Sequence, residues 1–90
     1  MLEASFTVLN PLGLHARAAA QLVRLASGFK SKILLSRPDT NAFADAKSIL
    51  SILTLAASMG TVLFLRVEGE DERDALEAVD RLFGEGFAEI

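Results

Sequence analysis

Leu2, Ala4, Phe6 and Val8 alternate with Glu3, Ser5 and Thr7, which puts the apolar set on one face of a strand. Asn10-Pro11-Leu12-Gly13 then breaks the chain. From about Ala16, the residues Ala19, Leu22, Val23 and Ala26 recur at helical spacing. Arg17, Gln21 and Arg24 take the opposite face, and Gly28 supplies a stop. Lys32 to Ser36 reads as a second strand with Ile33 and Leu35 inward. Arg37 to Asn41 is turn chemistry leading into a short third strand near Ala42-Phe43-Ala44, so the pair reads as a hairpin.

Ser48 stands at the N-cap position of a short helix carrying Ile49, Leu50, Ile52 and Leu53. After Gly60, Thr61 to Val67 returns to alternation, with Leu63, Leu65 and Val67 as the inner face. Glu70-Asp71-Glu72 sets acids against the positive end of a last helix, whose apolar stripe is Ala75, Leu76, Val79, Leu82 and Phe83. The order is βαββαβα. Strands with one apolar face each and helices with one apolar stripe predict a two-layer α+β domain, its helices covering one side of an antiparallel sheet. Gly84 to Ile90 runs past the last stripe without a pattern that places it.

Composition narrows the chemistry. The chain has 90 residues, 51% of them hydrophobic and 23% charged, enough to bury one core and too few for two, so a single domain over residues 1–90 is expected. There is no cysteine, which removes disulfides, thiolate metal sites and cysteine nucleophiles and fits a reducing compartment. A single histidine, His15, argues against a histidine-rich metal site. Met1 to Ser5 lacks a cationic segment followed by an apolar one, so no signal peptide is expected and the location expected is cytoplasmic. Ser48 to Leu65 is free of charge, long enough to raise a membrane span. Its serines and threonines, and the switch from helical spacing to alternation at Met59-Gly60-Thr61, argue against stable insertion.

The net charge of −3 hides an asymmetry. Residues 1–67 carry seven cations against three acids, while residues 68–90 carry nine acids against Arg73 and Arg81, nets of +4 and −7. A dispersed positive region with no aromatic interleaving argues against nucleic acid as the partner, but it can steer acidic proteins or phosphate groups.

No Walker loop, dinucleotide fingerprint, nucleophile elbow or helical His-Glu-x-x-His pair is present. What remains is Gly13-Leu14-His15-Ala16-Arg17, with the histidine between a Pro/Gly turn and a helix start. The first amides of a helix lack intrahelical partners and favour an anion such as phosphate. The same field disfavours imidazolium, so an imidazole there stays neutral and nucleophilic. Arg17 adds a cation and a fork of donors for phosphoryl oxygens. The group suits reversible phosphoryl transfer through nitrogen; a histidine that merely caps the helix, with Arg17 solvated, would occupy the same position.

Four short motifs occur in order: Gly13-Leu14-His15-Ala16-Arg17 opening the first helix, Ala46-Lys47-Ser48 opening the second, Gly60-Thr61-Val62 starting the last strand, and Glu68-Gly69-Glu70-Asp71-Glu72 before the last helix. Together they resemble the HPr family, the histidine-containing phosphocarriers of the phosphoenolpyruvate:sugar phosphotransferase system, over residues 2–84. The resemblance implies an open-faced β-sandwich with sheet order 1-4-2-3 and three helices on one side. It implies that His15 accepts a phosphoryl group from phosphorylated enzyme I and passes it to a histidine of an enzyme IIA component. Ala16 and Arg17 would hold the group in transit. Such a protein is a carrier with a covalent phosphohistidine and not a stand-alone enzyme, and no metal or organic cofactor is implied.

By the same resemblance Ser48 is a regulatory serine, modified by a dedicated HPr kinase/phosphorylase. Its phosphate would meet the helix amides and Lys47 while adding negative charge to a surface that acidic partners approach. Serine at an N-cap is also an ordinary capping choice, worth about 1 kcal/mol. Ile49, Leu50, Ile52 and Leu53 are too many apolar residues for a short helix to bury on one side. Ile49, Leu50 and Leu53 correspond to the family's partner-docking patch, with Arg24 and Lys47 at its basic rim. Two other readings are open: an HPr-like regulatory module acting through Ser48 and this patch, and a ligand-sensing domain of the ACT type, which shares the βαββαβ order. Ala18 stands where the family usually has proline, Leu12 replaces a polar residue often found near the histidine, and the Arg37 to Asn41 connection is slightly longer than usual.

Overall fold

The computed structural model describes residues 1–89. Four strands, β1 (Leu2–Thr7), β2 (Lys32–Arg37), β3 (Ala42–Asp45) and β4 (Val62–Glu68), form one sheet in the order β1-β4-β2-β3. Every neighbouring pair is antiparallel, with Ala4 opposite Leu65, Leu35 opposite Leu65 from the other side, and Leu35 opposite Ala44. Because β4 lies between β1 and β2, those two strands run parallel to each other. Their connection must cross over the sheet, and α1 (Ala16–Ala26) makes the crossing. The same logic sends α2 (Ile49–Leu53) between β3 and β4, and α3 (Glu72–Gly84) follows β4.

All three helices cover one face, as the resemblance implied. Ile33 and Leu35 of β2 and Leu63, Leu65 and Val67 of β4 are buried against Ala18, Ala19, Leu22 and Ala26 of α1, Ile52 of α2, and Ala75, Val79 and Phe83 of α3. Small residues on α1 let that helix sit close to the sheet, and fully burying each large aliphatic side chain contributes about 1.5–3 kcal/mol. Phe6 of β1 stacks on Phe83 with ring centroids 5.0 Å apart. Phe83 in turn meets Phe87 edge-on at 5.0 Å, so the aromatic row continues beyond the last helix.

That continuation is the part no periodicity marked. After α3 the chain makes a short 3-10 turn over Gly86–Ala88, with Phe87 buried, and brings Glu89 back across the start of α1. Ile90 lies outside the described residues. The opposite face of the sheet is open, with Phe43, Val62 and Phe64 exposed. Among the described residues no helix is long and apolar enough to cross a membrane.

The last helix begins two residues later than its acidic run. Asp71 occupies the N-cap position without capping; its carboxylate accepts from the amides of Lys30 (2.8 Å) and Ser31 (2.9 Å) and from the Ser31 hydroxyl, tying the approach to β2 to the approach to α3. The connection from Arg37 to Asn41 is likewise put to use. Arg37 grips Asp39 within it and donates 2.9 Å bonds to the carbonyls of Leu55 and Ala56 at the end of α2.

Candidate functional site

The site is built by the break between β1 and α1. Asn10 is buried and its side-chain amide donates to the Gly13 carbonyl at 2.7 Å, while the Gly13 amide donates back to the Asn10 carbonyl at 3.1 Å. Gly13 has φ +67°, and a Cβ there would stand 2.4 Å from the Ala57 carbonyl oxygen and 2.9 Å from Ser58 Cα. Only glycine fits. Leu14 then donates its amide to the Ala57 carbonyl at 2.9 Å, so the start of α1 is stitched to the segment that follows α2.

His15 comes next, as the N-cap of α1 in extended conformation, and its Nδ1 accepts from the Arg17 amide at 3.2 Å. A backbone amide can only donate, so Nδ1 carries a lone pair. The other ring nitrogen, Nε2, meets the Glu89 carboxylate, so it bears the hydrogen. The Nδ1 electron pair is turned toward the helix start, where the Arg17 amide donates to it. A ring nitrogen so placed can act as a nucleophile toward a group whose oxyanion the helix-start amides hold.

Glu89 is gripped from three sides. His15 Nε2 donates to it, then Leu12 through its amide (3.3 Å), then Asn10 through its side-chain amide (3.2 Å), and together they hold its carboxyl below the ordinary 4.5 against a smaller opposing effect of burial. Leu12, His15, Arg17, Gln21, Phe87, Ala88 and Glu89 line a recess of about 160 Å³. That volume suits a phosphoryl group better than an organic cofactor, whose pockets run roughly 300–1,000 Å³. Further hollows lie on the open sheet face, between residues such as Leu34, Phe43, Phe64 and Arg66, away from the histidine. No group of residues suited to a metal ion occurs among the described residues.

Arg17 is exposed beside the recess, and no ion pair among the described residues engages it. Arg24 lies seven residues further along α1, on the same face and about 10 Å along the axis. Packed beside α1, α2 presents Ile49 (40% exposed), Leu50 (77%) and Leu53 (36%), while Ile52 goes fully inward. The surplus of apolar residues on that helix is therefore at the surface, next to the histidine's helix. Ser48 caps α2, its hydroxyl accepting from the Ser51 amide at 3.3 Å. Lys47 is turned inward: its ammonium donates to the Phe29 carbonyl at 2.8 Å, which ties α2 to the end of α1.

Glu89 and Asn10 belong to the site, and the sequence reading left both out. Asn10 was legible only as a chain breaker. Glu89 lies 74 residues from His15 in a segment without periodicity, and no local pattern could have brought it there.

A histidine capping the first helix of an open-faced α+β sandwich is the arrangement expected of small phosphohistidine carriers. The family model described as the PTS HPr component phosphorylation site matches residues 2–85, and the chain belongs to the HPr family of the phosphotransferase system. It is similar to the phosphocarrier protein HPr of Xylella fastidiosa, with 48% identity over 99% of this chain and 98% of the relative. The HPr of Cupriavidus necator is 42% identical over the same shares. Among solved structures, HPr-C-His from Thermoanaerobacter tengcongensis superposes with a TM-score of 0.93 at 40% identity, covering 100% of this chain and 99% of the other.

Proposed function

We propose that residues 1–90 act as a single phosphocarrier domain in which His15 takes a phosphoryl group from phosphorylated enzyme I and hands it to a histidine of an enzyme IIA component in the cytoplasm. The observation that carries this reading is the bond from the Arg17 amide to Nδ1, which leaves that nitrogen's electron pair at the mouth of the helix. As the new N–P bond forms at Nδ1, the bond from phosphorus to the phosphorylated group of enzyme I breaks and its electron pair stays with that group. The amides of Ala16 and Arg17 and the Arg17 guanidinium then receive the phosphoryl oxygens. Ile49, Leu50 and Leu53, with Arg24 at the rim, form the docking surface; the inward bond of Lys47 leaves it as a brace more than a contact. Incubation with phosphoenolpyruvate and enzyme I is expected to add one acid-labile phosphate, read as phosphoimidazole by phosphorus NMR. A His15→Ala variant that still takes up label refutes the assignment.

Regulation at Ser48 is a second proposal, favoured by its position as the cap of α2 immediately before exposed Ile49 and Leu50. A phosphate there would place two negative charges within the apolar patch and oppose docking of acidic partners. HPr kinase and ATP are expected to give an acid-stable phosphoserine that is absent in Ser48→Ala. Labelled Ser48→Ala, or a Ser48 phosphoprotein that accepts phosphate from enzyme I at the unmodified rate, rejects the proposal.

A further inference from the structure

Three consecutive residues at the end of the chain, Gly86 (φ +59°), Phe87 (+54°) and Ala88 (+64°), adopt left-handed conformation. Glycine takes it readily, but phenylalanine and alanine do so rarely, and two in succession persist only where the surroundings fix them. What fixes them is visible. Phe87 is buried and packed edge-on against Phe83, and the following Glu89 is held by Leu12, Asn10 and His15. The segment is a strap, anchored by an aromatic ring at one end and a carboxylate at the other, and the carboxylate lands on the ring nitrogen opposite the nucleophilic one.

We propose that Glu89 is a positioning residue for phosphoryl transfer: it holds His15 in the tautomer with hydrogen on Nε2, keeping Nδ1 unprotonated. This deepens the carrier reading and rests on it for its consequence, though not for the tautomer itself. A free histidine in water divides between two tautomers and rotates; here one nitrogen is committed to a carboxylate and the other to an amide. When Nδ1 attacks phosphorus, positive charge develops on the ring, and the carboxylate beside Nε2–H meets it. On the return transfer the N–P electron pair goes back to Nδ1. Because Nε2 keeps its hydrogen throughout, the departing group is neutral imidazole and not its anion. No proton has to leave or enter in either direction.

The test uses the full chain labelled with nitrogen-15, at a pH where the ring is neutral. Two-bond nitrogen–hydrogen correlations of the His15 ring distinguish the tautomers directly. The wild type is expected to show the Nε2–H form nearly alone. Glu89→Ala is expected to move several-fold toward the other tautomer, while Glu89→Gln, whose amide oxygen still accepts from Nε2 and Asn10, keeps the Nε2–H form in excess. Phosphorylation by enzyme I should slow roughly 3- to 10-fold in Glu89→Ala and less in Glu89→Gln. An unchanged tautomer ratio in Glu89→Ala, with its backbone amide spectrum intact, overturns the proposal even if the wild type accepts phosphate normally. Failure of the wild type to accept phosphate overturns the carrier reading and, with it, the role in transfer, whatever the tautomer.

Discussion

Asp71 and Glu89 both send a carboxylate from the acidic end of the chain back to donors in its cationic part, but they close on different kinds of partner. Asp71 takes the amides of Lys30 and Ser31 and the Ser31 hydroxyl, groups that keep the same protonation state across the working pH range. Glu89 takes a backbone amide, a side-chain amide and the one histidine. Each clamp has a glycine where the chain passes too close for a side chain. Gly69, with φ +155°, would put a Cβ 2.5 Å from Ser31 Oγ and 2.6 Å from Ser31 Cα, much as Gly13 would collide with Ala57. The same chemistry thus makes a fixed rivet at one place and, at the other, a contact to the ring proposed to carry the phosphoryl group. What separates them is only the nature of one donor.

The sharpest way to break this comparison is to add a methyl group at each glycine. Gly13→Ala and Gly69→Ala should each lose about 2–3 kcal/mol in urea unfolding, because a left-handed or reversed backbone and a close approach must both yield. Only Gly13→Ala should also impair phosphate uptake; equal impairment in both would mean that the two clamps are not independent.

A smaller change isolates the rivet. Ser31 is fully buried, and Ser31→Ala should cost about 1 kcal/mol while leaving the rate of phosphorylation at the wild-type value. A slower transfer in that variant would place the first clamp in the function of the second.

Acid should loosen both clamps in the same sense. The Ser31 hydroxyl first, and then the Lys30 amide, hold the Asp71 carboxyl below its ordinary 3.8, and the His15 ring does the same for Glu89 below 4.5. A carboxyl lowered on folding stabilises the native state above its unfolded value, and that contribution disappears as pH falls through the lowered folded value. Thermal unfolding midpoints should therefore drop as pH goes below these ordinary values, and Asp71→Asn should flatten the decline. Midpoints of Asp71→Asn that fall as steeply as those of the wild type would show that the rivet has no part in acid sensitivity.

The smallest effect on stability belongs to the proposed docking surface. Leu50 is 77% exposed, and Leu50→Ser should change unfolding by no more than about 0.5 kcal/mol while weakening phosphoryl exchange with enzyme I. Exchange at the wild-type rate would remove Leu50 from the interface.

Periodicity was enough to locate all four strands and three helices, and for the inward residues of β2 and β4, because a half-buried element must repeat its apolar side at its own geometric period. The exposed apolar patch on α2 was legible for a related reason: a helix of five residues cannot hide Ile49, Leu50, Ile52 and Leu53 together. His15 and Arg17 were legible because a helix start is a local feature. Arg37 looked like part of a turn and is instead a bridge to α2, and Lys47 looked like a rim charge and is instead bonded to Phe29. In both, a long side chain chose among acceptors that only the packed chain brings near.

By itself, then, the order of residues determined the elements, their buried faces and the histidine at the mouth of the first helix, since each depends on neighbours within a few positions. Only the tertiary structure brought a carboxylate to the second nitrogen of that histidine. Glu89 reaches it across a separation of 74 positions, carried back by three left-handed residues, one of them a buried phenylalanine. A hydrogen bond between such distant groups leaves no periodic trace in the chain, because it forms only after the core has fixed where both ends lie.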